Sequence, residues 1–423
     1  MEKLDPTSDE ILPTSVDFFN TKPNLVAFQN FSSVQYPPLT PIENGQIHFT
    51  LNTGPIYLDL SETYLHTKFK ITKKEGDKWV PITNKDPVSL IQGFGATCIK
   101  TIIVKFNKRA IYHANNMHAY NAYFRRRLGL EVSRKEGTLQ AAGYFEDGLD
   151  QMSGPGFDAR RALFENGQTF ESICSLDVGF FRQNKLLINH TVVDVEITLH
   201  NNPFALLATG TGEYKYQVIG CNLYTKQHML FPQLDSEIQD RLNKDMLAKY
   251  DYTRNITNNY HIPPGVYEFR MPLFTDYIPK RVFAALVDAR AFHGIIGMSP
   301  FEFSSHNLES IQIYANATHV PTDKYEFEGK NLTRAFKDLN DATDEMHGIN
   351  YLKFIKHSCI FAFDLQSQHS DDFVETRQEG STSITLNFKE KTPANGLQLI
   401  IYAEFNSILA MDKTRTITTT VPI

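Results

Sequence analysis

The chain has 423 residues, of which 41% are hydrophobic and 21% charged, a composition that excludes a largely disordered protein and, at this length, predicts two domains. The 48 acidic residues outnumber the 42 Lys and Arg residues, and the resulting net charge of −6 excludes a general electrostatic attraction to nucleic acid. We therefore expect no direct, sequence-specific binding of nucleic acid. Aromatic residues make up 12% of the chain, and the 31 Phe and 19 Tyr favour β-strands.

Residues 1–24 are predicted to form an irregular N-terminal arm. They are mostly polar, and prolines at positions 6, 13 and 23 interrupt regular structure. Val16, Phe18 and Phe19 are the apolar part of this arm, and we take them as candidate assembly contacts.

Two further features indicate the compartment in which the chain is made. Its acidic start lacks the basic and then apolar pattern of a signal peptide, and no apolar run approaches the roughly 18 residues of a membrane span. The four cysteines are far apart and form no CxxC pair. We expect free thiols, synthesis in a reducing cytosol and no membrane span.

A first series of short β-type runs extends from residue 25 to residue 230. The clearest is residues 64–71, in which Leu65, Thr67, Phe69 and Ile71 alternate with polar residues, as in a strand with one buried face. Similar runs are QIHFTL (46–51), CIKTIIVKFN (98–107), LDVGFF (176–181), VVDVEITLH (192–200) and YKYQVIGCNLYT (214–225). The run NNMHAYNAYFRRRL (115–128) predicts a short helical insertion in this β domain.

A longer helix is predicted next, in the segment PQLDSEIQDRLNKDMLAKY (232–250). Leu234, Ile238, Leu242 and Met246 lie four apart on one helical stripe, so we place a helical linker at residues 231–252. Strand-like runs then resume as GVYEFRMPLF (265–274), RVFAALVDA (281–289), LESIQIYAN (308–316), SCIFAFDL (358–365), SITLNFK (383–389) and GLQLIIYAEF (396–405). A helix and a loop are predicted between them, over residues 332–352.

The last of these runs carries the clearest apolar face of the second half. Leu397, Leu399, Ile401, Ala403 and Phe405 alternate with the other residues of the run and predict the buried side of a strand.

The predicted domains are an N-terminal arm (1–24), a first jelly roll (25–230), a helical linker (231–252) and a second jelly roll (253–423). Each half has roughly six to eight predicted strands, which fits an all-β fold of two tandem jelly rolls with short helical insertions. No fixed-period repeat aligns the two halves, so any duplication lies in the pattern and not in residue identity.

The motifs of enzymes built on jelly rolls are largely missing. His369 and Asp371 match the first two ligands of a 2-His-1-carboxylate iron site, but no histidine follows to complete it. His113 and His118 are five apart, which does not fit the one-face spacing of a helical zinc site. No GxSxG or GxxxxGK[ST] motif occurs. We assign no catalytic, cofactor-binding or metal-ligating residue.

The densest basic cluster is Arg125, Arg126 and Arg127, followed by Arg134 and Lys135. Two interpretations remain open for it. The arginines could contact phosphate or the carboxylates of a neighbouring chain, which makes them candidate assembly contacts. Alternatively, they form a solvated helix end that the helix dipole favours.

Several segments taken together resemble one protein family. They are YLDLSETYLHTKFKIT, IKTIIVKFNKRAIYHANNMHAYNAYFRRRLG, GPGFDARRALFENG, GFFRQNKLLINHTVVDVEITLH, IPKRVFAALVDARAFHG, SPFEFSSHNLESIQIYANATHVP and LQLIIYAEFNSILAMDKTRTI. In this order, from about residue 17 to residue 417, they resemble the major capsid proteins of Polinton (Maverick) elements and adintoviruses. That family is similar to the wider double-jelly-roll capsid lineage, which includes hexons.

The resemblance implies a structural subunit of an icosahedral virion, made in the host cytosol, and not an enzyme. Its implied partners are two further copies in a homotrimeric, pseudo-hexameric capsomer, then neighbouring trimers and a minor capsid or penton protein. The family has no catalytic residues to transfer to this chain. The alternative from the residues alone is a two-domain jelly-roll enzyme or a carbohydrate-binding protein.

Overall fold

The computed structural model describes Phe18 and residues 27–42, 45–316, 318–327, 331–343, 347–365 and 378–421. The strands of the first half are β1 (Phe28–Tyr36), β2 (Gln46–Leu51), β3 (Tyr57–Glu75), β4 (Lys78–Pro81), β5 (Val88–Leu90), β6 (Ile99–Phe106), β7 (Arg109–His113), β8 (Phe170–Ser175), β9 (Val193–Leu199), β10 (Leu206–Ala208) and β11 (Tyr214–Leu230). Its α-helices are α1 (Phe94–Thr97), α2 (His118–Leu128), α3 (Val132–Glu136), α4 (Pro155–Ala162) and α5 (Asn202–Ala205), and α6 (Pro232–Asn243) follows β11.

The second half is built in the same way. Its strands are β12 (Ala248–Ile262), β13 (Glu268–Phe274), β14 (Arg281–Asp288), β15 (Leu308–Ala315), β16 (Thr318–Glu326), β17 (Ile360–Asp364), β18 (Thr382–Phe388), β19 (Leu397–Met411) and β20 (Ile417–Thr419). Its α-helices are α7 (Ala289–His293), α8 (Thr333–Ala342) and α9 (Tyr351–Lys356). We call β1–β11 the first unit and β12–β20 the second unit. Strand β12 begins before residue 253, where the sequence placed the start of the second jelly roll.

The two units have the same strand order. In the first unit, β1-β11-β3-β8 form one antiparallel sheet, in which β4 also pairs with β3, and β2-β9-β6-β7 form the other. In the second unit the sheets are β12-β19-β14-β17 and β13-β18-β15-β16, with β20 on β19. The comparison uses eight strands of each unit, numbered 1 to 8 in chain order: β1, β2, β3, β6, β7, β8, β9 and β11 in the first unit, and β12 to β19 in the second. In both units one sheet then has the strand order 1-8-3-6 and the other has the order 2-7-4-5. This is the jelly-roll arrangement, so the predicted all-β fold of two tandem jelly rolls is confirmed.

The period-two pattern of β3 is confirmed residue by residue. Leu65, Thr67, Phe69 and Ile71 are each at most 2% exposed, whereas the polar residues between them are half-buried on the outer face. The polar face is satisfied locally, because Lys68 and His66 both contact the carboxylate of Glu171 on neighbouring β8. One face of β3 therefore covers the core of the first unit.

Strand β19 departs from the single buried face that its sequence predicts. Phe405 packs on Phe274 of β13, inside the second unit, with ring centroids 5.1 Å apart. Tyr402 lies on the opposite face and stacks on Phe124 of α2, from the first unit, at 5.6 Å. Ile400, on the same face as Tyr402, is fully buried. Both faces of β19 are buried because the first unit covers the face that would otherwise meet solvent.

The segment LDVGFF (176–181), predicted as a strand, is not one. The strand lies just before it, at β8, and Asp177 has a left-handed backbone with φ of 54°. A Cβ at Gly179 would lie 2.3 Å from the carbonyl oxygen of Thr253, so the chain approaches β12 too closely for an ordinary strand residue. The turn brings the side chain of Asp177 into the junction between the units.

Candidate functional site: the junction of the two units and the exposed surfaces

Helix α2 is the central element of the junction between the units. Its aromatic residues pack against aromatic residues of the second unit. Tyr123 stacks on Phe301 with ring centroids 4.3 Å apart, and Tyr120 stacks on Phe292 at 5.6 Å. The sequence predicted α2 as a short insertion in the first β domain. The structure shows that this insertion completes the core of the second unit, which it can do because both aromatic side chains bury large apolar areas.

Two of the predicted assembly contacts, Arg125 and Arg126, meet one buried carboxylate. Arg125 lies 2.8 Å from Asp177, and Arg126 lies 2.8 Å from the other oxygen of the same carboxylate. Arg126 and Asp177 are each 2% exposed. Burial alone would raise the pKa of Asp177, but the two guanidinium groups outweigh it, so this pKa lies below its ordinary value. Asp177 is therefore a charged acceptor inside the protein.

The third arginine joins the two units. Arg127 lies 2.8 Å from Glu146, and Lys353 of α9, in the second unit, lies 2.6 Å from the other oxygen of that carboxylate. Burial works to raise the pKa of Glu146, yet Arg127 and Lys353 lower it to about 2. One carboxylate thus bridges a helix of each unit.

These positions correct the sequence-based expectation for the arginine cluster. Arg126 and Arg127 are 2% and 3% exposed, and Arg125 is largely buried, so the three do not form a solvated helix end. Their guanidinium groups are held by carboxylates of the same chain. Asp177 and Glu146 lie some distance along the chain from the arginines, and only the folded structure brings them together.

Sequence reasoning also missed the role of Lys135. Its side chain is 4% exposed, and its Nζ donates hydrogen bonds of 2.7 Å and 2.6 Å to the carbonyl oxygens of Arg127 and His347. Burial, and then the nearby charge of Arg127, lower the pKa of Lys135 to about 7. His347 belongs to the second unit, so this amine also connects the two units.

Helix α6 is held to both units by a polar network. Its Asp235 accepts hydrogen bonds from Tyr57 Oη at 2.7 Å and from Asn189 Nδ2 at 3.1 Å, both in the first unit. Arg415, from the second unit, donates to the backbone and side-chain oxygens of Asn189 at 2.9 Å and 2.8 Å. The helix of the predicted helical linker is therefore fixed to both units by hydrogen bonds.

The histidines and cysteines of the described residues do not gather into a reactive site. His113 is exposed, whereas His118 is fully buried and burial lowers its pKa to about 4. His369 and Asp371 lie outside the described residues. All four cysteines are free and buried, and burial raises the pKa of the Cys174 thiol to about 11. Within the described ranges, no three His, Cys, Asp or Glu side chains come together as a metal site.

The outer strand β1 carries the most exposed aromatic surface of the first unit. Phe28 is 44% and Phe31 65% exposed, and Met229 and Phe231 at the end of β11 are also exposed. Lys226 lies above the ring of Phe31, 5.3 Å from its centroid. Phe18, the one described residue of the predicted arm, is 79% exposed, and Val16 and Phe19 lie outside the described residues. Large apolar side chains at a sheet edge are typical of a surface that another chain covers.

In the part of the chain that the structure describes, no helix combines the length and the apolar character needed to cross a membrane.

No model of a protein family matches the chain. An uncharacterized protein of Caenorhabditis elegans, F54H12.2, is 27% identical over 389 residues, which are 87% of this chain and 91% of that protein.

Solved structures resemble the chain over nearly its whole length. A chain of the Sputnik virophage, from a cryo-EM structure, has a TM-score of 0.67 at 12% identity and is matched over 94% of its length by 100% of this chain. The Faustovirus major capsid protein has a TM-score of 0.56 at 8% identity, with 95% of this chain and 92% of that chain covered. The chain therefore has the double-jelly-roll fold that these capsid proteins share.

Proposed function

We propose that the protein is a major capsid protein, which forms homotrimeric, pseudo-hexameric capsomers of an icosahedral virion. The observation that carries this proposal is the repeated strand order, 1-8-3-6 and 2-7-4-5, in two units of one chain. Two similar units side by side, repeated by a threefold axis, give a six-lobed block. Such a block fits shell positions that have six neighbours, and a single chain type suffices to build it.

The junction supports this role because a six-lobed block needs a fixed angle between its lobes. Lys135 and Arg415 connect one unit to the other through buried polar contacts, and Glu146 does so through a half-buried ion pair. Unpairing a buried charge costs several kcal/mol, so the two units resist separation. A protein that works by assembly benefits from this rigidity, whereas it needs no reactive side chain.

The proposal also covers the partners and the location of the protein. Copies of the trimer pack against neighbouring trimers, and the vertices of fivefold symmetry, where a six-lobed block does not fit, take a minor capsid or penton protein. The protein is made in the host cytosol and resides in the virion. The arm residues Val16, Phe18 and Phe19 contact other subunits, as the 79% exposure of Phe18 suggests.

We also propose a finer assignment and a division of the chain. The finer assignment is to the capsid proteins of Polinton elements and adintoviruses, and the resemblance of the segments quoted above supports it. The division is an arm at residues 1–24, two jelly rolls and, between them, the linker that contains α6.

Native mass spectrometry tests the proposal directly. We expect a trimer, three times the 48.3 kDa mass of one chain, and electron microscopy of the concentrated protein should show closed shells or six-lobed blocks. A monomer at micromolar concentration, unchanged by salt, would reject the capsid role. Metal analysis of the same sample addresses the alternative, because an enzyme on this fold would carry stoichiometric iron or zinc.

A further inference from the structure

A cavity of about 440 Å³ lies between the two units, where the outer strands of two sheets approach each other. Strand β7 is the last strand of the sheet β2-β9-β6-β7, and β12 is the first strand of the sheet β12-β19-β14-β17. Consecutive residues of both chain segments line the cavity, at positions 112–115 and 254–257. Neighbouring strand residues point to opposite faces, so the lining by Tyr112 and His113 of β7 and by residues 254–257 of β12 means that the edges of these two strands face the cavity.

Such an edge is suited to an extended peptide. Outer strands carry backbone N–H and C=O groups that their own sheet does not use, and an added strand can pair with them. The volume falls in the range of about 300–1,000 Å³ that is typical of ligand pockets. Here the two edges belong to different units, so one inserted strand could pair on both sides.

The lining of the cavity defines the chemistry of the segment that it would accept. Ile103, Ala110 and Ile256 form apolar walls. The lining also contains Lys105, His113 and Arg254, and it contains no carboxylate. Lys105 also binds Glu196. Thr257 is 8% exposed, and its hydroxyl has no hydrogen-bond partner among the described residues. An extended segment with apolar side chains and a carboxylate would match these groups.

The N-terminal segment of this chain has that composition. Residues 1–26 contain five acidic residues (Glu2, Asp5, Asp9, Glu10 and Asp17) against two basic ones (Lys3 and Lys22). Residues 16–19 read VDFF, with one carboxylate among three apolar side chains. An extended chain of this length spans at most roughly 90 Å, enough to reach a neighbouring subunit.

We propose that residues 16–19 of one copy insert as an extended strand into the cavity between β7 and β12 of a neighbouring copy. The carboxylate of Asp17 would face Lys105 and His113, and the apolar side chains would cover Ile103 and Ile256. A neighbouring copy is the occupant because Phe18 is 79% exposed on its own chain and so gains no burial there. This inference rests on the proposed capsid role and names the surface through which subunits are tied together.

Crosslinking of the full-length protein in assembled shells tests the inference. The double variant Phe18→Cys/His113→Cys carries one cysteine on the arm and one at the exposed rim of the cavity, and the four native cysteines are buried and do not compete. With a short bis-maleimide reagent we expect covalent dimers and trimers on a denaturing gel. The matched control is Phe18→Cys/Lys337→Cys, since the Lys337 side chain is 69% exposed on α8, away from the cavity, and should give no such bands.

A cavity-filling variant provides the second measurement. Ala110→Trp, added to the crosslinking pair, should remove at least nine-tenths of the covalent dimer while native mass spectrometry still shows the trimer. An internal crosslink within one chain, equal crosslinking in the control pair, or crosslinking unaffected by Ala110→Trp would each overturn the inference. Assembled shells without any crosslink overturn the docking of the arm and leave the capsid role standing, whereas a monomer that does not assemble overturns both.

Discussion

Asp177 and Arg126 form an ion pair of 2.8 Å in the interior, where each side chain is only 2% exposed. Arg125 shares the same carboxylate. The pair lies at the junction of the units, because Arg126 belongs to α2 and residue 179, close to Asp177, touches the backbone of β12. A buried ion pair adds little stability over an apolar replacement, but the loss of one partner leaves a charge without compensation.

We therefore predict that Asp177→Ala destabilises the protein by about 3–5 kcal/mol, because it leaves two guanidinium groups unpaired in the interior. Chemical denaturation gives this number. The matched control is Asp158→Ala, which removes an exposed carboxylate 3.3 Å from Arg161 and should cost about 0–1 kcal/mol. Equal costs for the two variants would contradict the role of Asp177 at the junction.

Lys135 provides a pH test of the same junction. Its pKa of about 7 in the folded state lies below the ordinary lysine value of 10.5, so between these pH values the unfolded chain binds more protons than the folded chain. The free energy of unfolding should therefore rise with pH from about 7 to 10, by at most about 1.4 kcal/mol per pH unit. Below pH 7 this gain is absent, because the folded state must then carry a buried charge.

Denaturation curves at pH 7 and pH 9 measure this dependence. Lys135→Met should remove the rise that Lys135 causes, and Lys337→Met, at an exposed lysine, should keep it. The free energy of unfolding thus changes with pH in the opposite direction to that expected for a lysine stabilised by a carboxylate. The stabilisation from such a lysine is lost as the pH rises. Parallel curves for the wild type and Lys135→Met would show that the amine is not buried as described.

Strand β19 gives a test of register. Phe405 is 4% exposed and faces the core of the second unit, so Phe405→Asp should prevent folding, since burying an unpaired carboxylate costs several kcal/mol. Asn406→Asp places the same charge at the next, half-buried residue and should be tolerated. Soluble yield and melting temperature separate the two. If Phe405→Asp melted like the wild type, the register would be off by one residue.

The same strand shows a second effect, at Ile400. The sequence alone ranks Ile400→Thr as mild because Ile400 is off the alternating apolar face. The structure buries it completely against the first unit, so we now expect a loss of about 1–3 kcal/mol from the buried hydroxyl and the lost methyl groups. Melting temperature again measures the change, and an unchanged value would mean that the units separate at this face.

The sequence was sufficient for features that depend on neighbours along the chain. The alternation of β3 and the stripe of Leu234, Ile238 and Leu242 on α6 follow from local patterns, although Met246, predicted on the same stripe, lies beyond the end of the helix and is exposed. The sequence was insufficient where the burial of a residue depends on a segment that is far away in the chain. The second buried face of β19 exists because α2 covers it, and Arg126 is buried because Asp177 turns inward at a left-handed residue. A single sequence carries no signal that joins these positions.

The arm gives the last prediction. Residues 1–20 are mostly polar and contain prolines, so this composition predicts that they do not fold alone, and Val16, Phe18 and Phe19 form their apolar patch. If these side chains dock on a neighbouring copy only in the shell, the entropic cost of ordering the arm is met only on assembly. Deletion of residues 1–20 should then leave the trimer intact and lower the yield of particles.

Limited proteolysis supplies the complementary measurement. Protease should remove the arm from free trimers and spare it in assembled shells, because docking protects an extended segment. The triple variant Val16→Ser/Phe18→Ser/Phe19→Ser is the matched control for the deletion, since it keeps the length and charge of the arm and should lower particle yield in the same way. Equal particle yield from the deleted and full-length chains would reject the docking role, and loss of the trimer itself would place the arm inside the capsomer.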